Sequence, residues 1–132
     1  MDKLLLDDVI WRYKHPAHRG KSEGQACRTS NPSCGDDITL YIQVNDGLLK
    51  SASFDGQMCS IANYGAELLL DHIIGQNLSI AVKVTSADLL GKANTGLLSN
   101  PVRLKCFELA SNALSNYVSS TKQGHHSGCR QD

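Results

Sequence analysis

ITLYIQVNDGLLKSASF, residues 38–54, decides the fold class. Ile38, Leu40, Ile42 and Val44 alternate with Thr39, Tyr41 and Gln43. This two-residue period predicts a strand with one buried face. Asn45-Asp46-Gly47 is a hairpin turn, because these residues tolerate the left-handed backbone a tight turn needs. Residues 48–54 return as the partner strand. The period then changes. Ile61, Leu68, Leu69, Ile73 and Ile74 predict a helix from about residue 60 to 74, stopped by Gly75. Upstream, Leu4, Leu5, Leu6, Val9, Ile10 and Tyr13 predict an amphipathic helix over 3–14, ended by His15-Pro16. Residues 17–33 read as a polar loop with a short strand near 26–29. Short helices are expected near 79–83, 86–91 and 94–98. Pro101 opens a further periodic stretch, read as one helix over 102–120. Helix, hairpin and helices in that order make an α+β domain. The expected domain spans 1–121, and the polar tail 122–132 is expected to be disordered.

With 132 residues the chain fits one domain with a modest core. Thirteen basic residues balance thirteen acidic ones, which removes the electrostatic argument for nucleic acid or an anionic membrane surface. No apolar run approaches the roughly 20 residues of a membrane-spanning helix. Asp2, Asp7 and Asp8 at the start do not read as a secretory signal, so a cytoplasmic location is expected.

In such a compartment, five cysteines point to metal binding or catalysis before disulfides. Cys34 sits in NPSCGD, where Pro32 stiffens the approach and Gly35 permits a sharp turn. Asp36 there returns a carboxylate toward the sulfur. Cys34 and Cys59 are 25 positions apart, Cys59 and Cys106 are 47 apart, and there is no CxxC pair. Any shared site must therefore be built by the tertiary fold. All three cysteines fall near expected element ends, and Cys59 and Cys106 are expected near helix N-termini, which favour thiolate. Three thiolates and one carboxylate suit a tetrahedral zinc or iron site. The carboxylate is the hardest and most exchangeable of the four, which fits a site that receives or releases something. Cys27 reads as a loop or strand cysteine, and Cys129 as a tail thiol beside His125 and His126. His18 lies near enough to a loop to be weighed as a neighbour of the site, and His72 reads as a helix residue without a chemical role.

With these residues together, the chain resembles the U-type iron–sulfur cluster assembly proteins: the IscU, SufU and NifU N-terminal scaffolds. NPSCGDDITLYIQV, FDGQMCSIANYGAELLLDHIIG and NPVRLKCFELASNAL match the family's three cysteine motifs, in order and at compatible distances. WRYKHPAHRG is similar to its N-terminal helix and following loop. The likeness covers about residues 3–120. It implies a small antiparallel sheet with packed helices, and Cys34, Cys59 and Cys106 as ligand thiols with Asp36 as the carboxylate beside them. It further implies zinc, iron or a [2Fe–2S] cluster at this site. The implied partners are a cysteine desulfurase that supplies sulfur and apo iron–sulfur proteins that receive the cluster. Lys105 stands where the IscU branch has histidine, and is expected to modulate Cys106 rather than bind metal. The region between the second and third cysteines is too short for the SufU-type insertion. SNPVR, residues 99–103, stands where the family's chaperone-binding motif would lie.

The expected function is cluster assembly, with Cys106 as first choice for persulfide acceptor. The alternatives are a zinc-containing sulfur-transfer partner of the desulfurase, or a structural zinc module that only binds proteins. A cysteine hydrolase ranks last, because no histidine is placed for a Cys–His pair.

Overall fold

The computed structural model describes residues 3–31, 35–91 and 99–122. The elements are α1 (Lys3–Lys14), β1 (Gln25–Asn31), β2 (Asp36–Asn45), β3 (Leu48–Asp55), α2 (Ser60–Ile73), α3 (Leu78–Ala81), α4 (Ser86–Leu90), α5 (Pro101–Phe107) and α6 (Leu109–Lys122). The α+β fold is as the alternating and helical periods predict. Cys34, the expected helix at 94–98 and the tail beyond residue 122 lie outside the described residues.

The three strands form an antiparallel sheet in the order β1-β2-β3. Asp46 and Gly47 both take positive φ, 53° and 79°, which gives the hairpin a twist matching its strands. Burial alternates along β2 from Asp36 to Gln43, so Ile38, Leu40 and Ile42 enter the core. Val44 departs from the expectation and is exposed. The β2–β3 register shifts by one between Gln43 and Val44, so Leu49 faces Val44 and Lys50 is left as the extra residue. A bulge of this kind turns the strand end away from the core. β1 is longer than expected, pairing Gln25 with Ile42 through Asn31 with Asp36.

The inner face of the sheet is covered by α2 and α6, and α1 and α5 pack on α2. Ile38, Leu40, Phe54, Leu69, Leu70, Ile73, Leu109 and Leu114 form the main core. Leu5, Val9, Tyr64, Leu90 and Phe107 form a second cluster among α1, α2, α4 and α5. Polar contacts lock the same helices together. The Tyr64 hydroxyl donates to Asp8 (2.8 Å), and burial followed by the Asp8 carboxylate pushes this phenol up. Glu67, fully buried, accepts the backbone N–H groups of Ala17 (2.8 Å) and His18 (2.9 Å), which pins the loop after α1 to α2.

The last expected helix is two. Glu108, with φ −86° and ψ 3°, separates α5 from α6. Beside this break the Phe107 backbone presses onto Gly65 of the facing helix α2. A Cβ on residue 65 would overlap the Phe107 carbonyl oxygen and stand 2.9 Å from its carbonyl carbon. Only glycine admits this approach.

Candidate metal and cluster centre

Asp36 opens β2 on the same face as Ile38 and Leu40, so the alternation that builds the core also turns its carboxylate inward. It is 7% exposed. Cys59 is the N-cap of α2, with extended φ and ψ of −73° and 170°. Its N–H donates to Asp36 Oδ1 (3.2 Å), which ties the start of α2 to the start of β2. Cys106 is buried in the last turn of α5. One ligand atom each from Asp36, Cys59 and Cys106 lies within 4.8 Å of the others. The structure thus brings together three of the four residues singled out from the sequence, and the fourth, Cys34, is outside the described residues.

The donor set fits a thiophilic metal. With Zn–S bonds of about 2.3 Å, tetrahedral geometry separates two sulfurs by about 3.8 Å. The three ligand atoms lie within 4.8 Å of one another, a spread on the scale of such a site. Asp36 Oδ2 is buried, and among the described residues it has no hydrogen-bond partner. A buried carboxylate oxygen without a partner is costly, and the same carboxylate has an oxygen within 4.8 Å of both sulfurs.

Two expectations about thiol chemistry need correction. Cys106 is not at a helix start: it stands five residues after Pro101, and because α5 ends at Phe107 it lies in that helix's final turn. Cys59 does sit at a helix start, yet its thiol is pushed up. Burial is the main cause, and Asp36 adds to it. The amides of Ala62 and Ile61 pull the other way without prevailing. Lys105 is exposed and forms no ion pair with Asp36 among the described residues. His18 turns away from the site, with Nε2 2.7 Å from Asp71 Oδ1, and His72 is exposed. Cys27 lies on β1, fully buried, its sulfur 3.1 Å from the Ala113 carbonyl oxygen.

Sequence reasoning missed the polar residues that support Cys59. Arg19 reaches the Gly56 carbonyl and Asn63, and Asp37 N–H donates to the Gln57 carbonyl (2.8 Å). A signal was present for one of them: Asn63 falls on the inner face of α2, among small residues, where an unpaired amide would be unfavourable.

The sequence model of the NifU-like N terminal domain matches residues 5–126. The chain belongs to this family. It is 38% identical over 125 residues to the iron–sulfur cluster assembly scaffold protein IscU of Thermotoga maritima, covering 82% of this chain and 88% of that one. It is 27% identical over 141 residues to the zinc-dependent sulfurtransferase SufU of Bacillus subtilis, covering 95% of this chain and 96% of that one. The N-terminal part of a NifU-like protein from Brucella abortus has the same fold, with a TM-score of 0.71 at 12% identity over 87% of this chain and 92% of that one. Among the described residues, no helix is long and apolar enough to cross a membrane.

Proposed function

We propose that this NifU-like domain is an iron–sulfur cluster assembly scaffold, and that Asp36, Cys59 and Cys106, with Cys34, hold the metal and the growing cluster. The observation that carries the assignment is the convergence of two sulfurs and a carboxylate oxygen of Asp36 within 4.8 Å, in a carboxylate whose buried Oδ2 has no hydrogen-bond partner among the described residues. The named relatives support the reading, one an assembly scaffold and the other a zinc-dependent sulfurtransferase.

Sulfur enters from a cysteine desulfurase. A thiolate of this chain attacks the outer sulfur of the enzyme's persulfide. The enzyme's S–S bond breaks, its cysteine leaves as thiolate, and a new S–S bond forms on this chain. No net oxidation accompanies that transfer. Reduction of the bound sulfur to sulfide takes two electrons from a donor outside this chain. Cys106, beside Lys105, is our acceptor. Its burial requires the end of α5 to open toward the enzyme, whereas Cys59 is the more open competitor. The finished cluster is cargo, passed by thiolate exchange to an apo iron–sulfur protein, with the Asp36 oxygen as the arm that yields first. A cytoplasmic setting suits the reduced thiols this requires.

The second reading keeps zinc at the same ligands and limits the protein to sulfur transfer, as the B. subtilis relative's name describes for that protein. The test is incubation with a cysteine desulfurase, cysteine, ferrous iron and a reductant, with and without Cys106→Ser. Desulfurase-dependent iron and sulfide on the unaltered protein supports assembly. Sulfur that enters only as persulfide, with no iron retained, supports transfer. Sulfur still mapped to Cys59 in Cys106→Ser moves the acceptor to Cys59.

A further inference from the structure

We propose that Arg19 is a positioning residue for Cys59, with one guanidinium holding both ends of the segment that carries the thiol. The inference rests on the metal-site reading above. The main chain places Arg19 first. Its segment lies along the outer edge of β3, in a parallel bridge between Arg19 and Phe54. Gly20 N–H donates to the Phe54 carbonyl (2.7 Å), and Phe54 N–H donates to the His18 carbonyl (3.0 Å).

From that edge the side chain reaches across the end of the sheet. Nη2 donates to the Gly56 carbonyl at 2.6 Å. Nη1 donates to Asn63 Oδ1 at 3.4 Å, and Nε to Asp55 Oδ1 at 3.4 Å. Asn63 is fully buried in the first turn of α2, and its own N–H donates to the Cys59 carbonyl at 3.0 Å. Cys59 therefore lies between the two groups that Arg19 grips. The opposite side of the segment is held by β2, through the Asp37 N–H to the Gln57 carbonyl (2.8 Å) and the Cys59 N–H to Asp36.

The three contacts are unequal. The Asp55 side chain is 42% exposed, so its ion pair is screened and weak. The bond to Gly56 is short and charge-assisted, and ranks first. The fork shape matters too, because lysine supplies the charge but cannot reach Gly56 and Asn63 together. Arg19 touches neither metal nor sulfur. It acts through the backbone of 56–59, fixing the distance between the Cys59 sulfur and Asp36.

The experiment compares the unaltered chain with Arg19→Met and Arg19→Lys. Zinc release to a chelator is timed on the zinc-loaded proteins. Amide hydrogen exchange is followed on the metal-free ones, for residues 56–60 and for α6. Arg19→Met is expected to release zinc about tenfold faster, the scale of losing an outer partner of a metal ligand. Exchange at 56–60 rises several-fold with α6 unchanged, and Arg19→Lys falls between. Unchanged release and unchanged exchange overturn the proposal. So does equal acceleration at 56–60 and α6, which marks general loosening. If Arg19→Met does not fold, Arg19→Lys carries the same comparison. If the unaltered chain takes up no zinc, the metal-site reading fails, while the exchange pattern still decides the role of Arg19.

Discussion

Gly65→Ala is the substitution through which the fold and the site can be tested together. The new methyl would overlap the Phe107 carbonyl oxygen and stand 2.9 Å from the Phe107 carbonyl carbon and 3.2 Å from its Cα. Carbon atoms pack at about 3.5 Å, so α2 and the α5–α6 junction must part by at least about half an ångström. The obstacle is backbone and cannot swing aside. Overpacking of this kind costs about 3 kcal/mol at the upper end of its range. Alanine regains about 1 kcal/mol over glycine inside a helix. The net expectation is a loss of about 2 kcal/mol. The displaced residue is the neighbour of Cys106, so the same movement widens the gap between Cys106 and Cys59, and zinc affinity falls as well. Urea unfolding of the metal-free protein measures the first effect, and competition with a chromophoric chelator measures the second. An alanine variant that is more stable than the parent, with unchanged zinc affinity, would refute the close approach and its link to Cys106.

Asp36→Ala removes the hardest of the proposed ligands, and the bound cluster should then pass more slowly to an apo-ferredoxin without decaying faster in buffer; faster decay with faster transfer would mean that Asp36 is only an anchor. Chelation should lower the melting temperature, since metal at a hundredfold excess over Kd adds about 2.7 kcal/mol to the native state. An unchanged melting curve after complete metal removal would contradict this. The Asp71 carboxyl sits below its ordinary range: partial burial pushes it up, but hydrogen bonds from His18 and Arg12 outweigh that. A depressed folded-state pKa contributes stability above the unfolded value of about 4, and that stability is lost as pH falls below it. Asp71→Asn should therefore flatten the dependence of the urea midpoint on pH below about 4, and an unaltered slope would refute the assignment.

The elements most legible in the sequence were those with a clean period or a turn that only certain residues make. Ile38, Leu40 and Ile42 fixed one face of β2, and Asp46-Gly47 fixed the hairpin. Asp36 was legible for another reason, its place two residues after Cys34 in NPSCGD, and its inward register on β2 came only with the structure. Features set by packing were not. The break at Glu108 falls beside a backbone contact with Gly65, more than forty positions away, and the apolar pattern runs through it undisturbed. Val44 turned outward because β3 carries an extra residue opposite it, which composition does not announce. The shift of the Cys59 thiol was misjudged because a helix N-terminus can be read from sequence, but the burial and carboxylate that oppose it cannot. Arg19 went unnoticed because its partners are a backbone carbonyl and an amide, which leave little trace in a residue pattern.

The most direct test of the central claim is the iron and acid-labile sulfide content of this protein after purification without oxygen, read with its absorption spectrum. The scaffold account predicts iron and sulfide in equal amounts, with visible bands that disappear in Cys59→Ser and Cys106→Ser. One zinc per chain with no labile sulfide, before and after incubation with a cysteine desulfurase, cysteine, ferrous iron and a reductant, would contradict it.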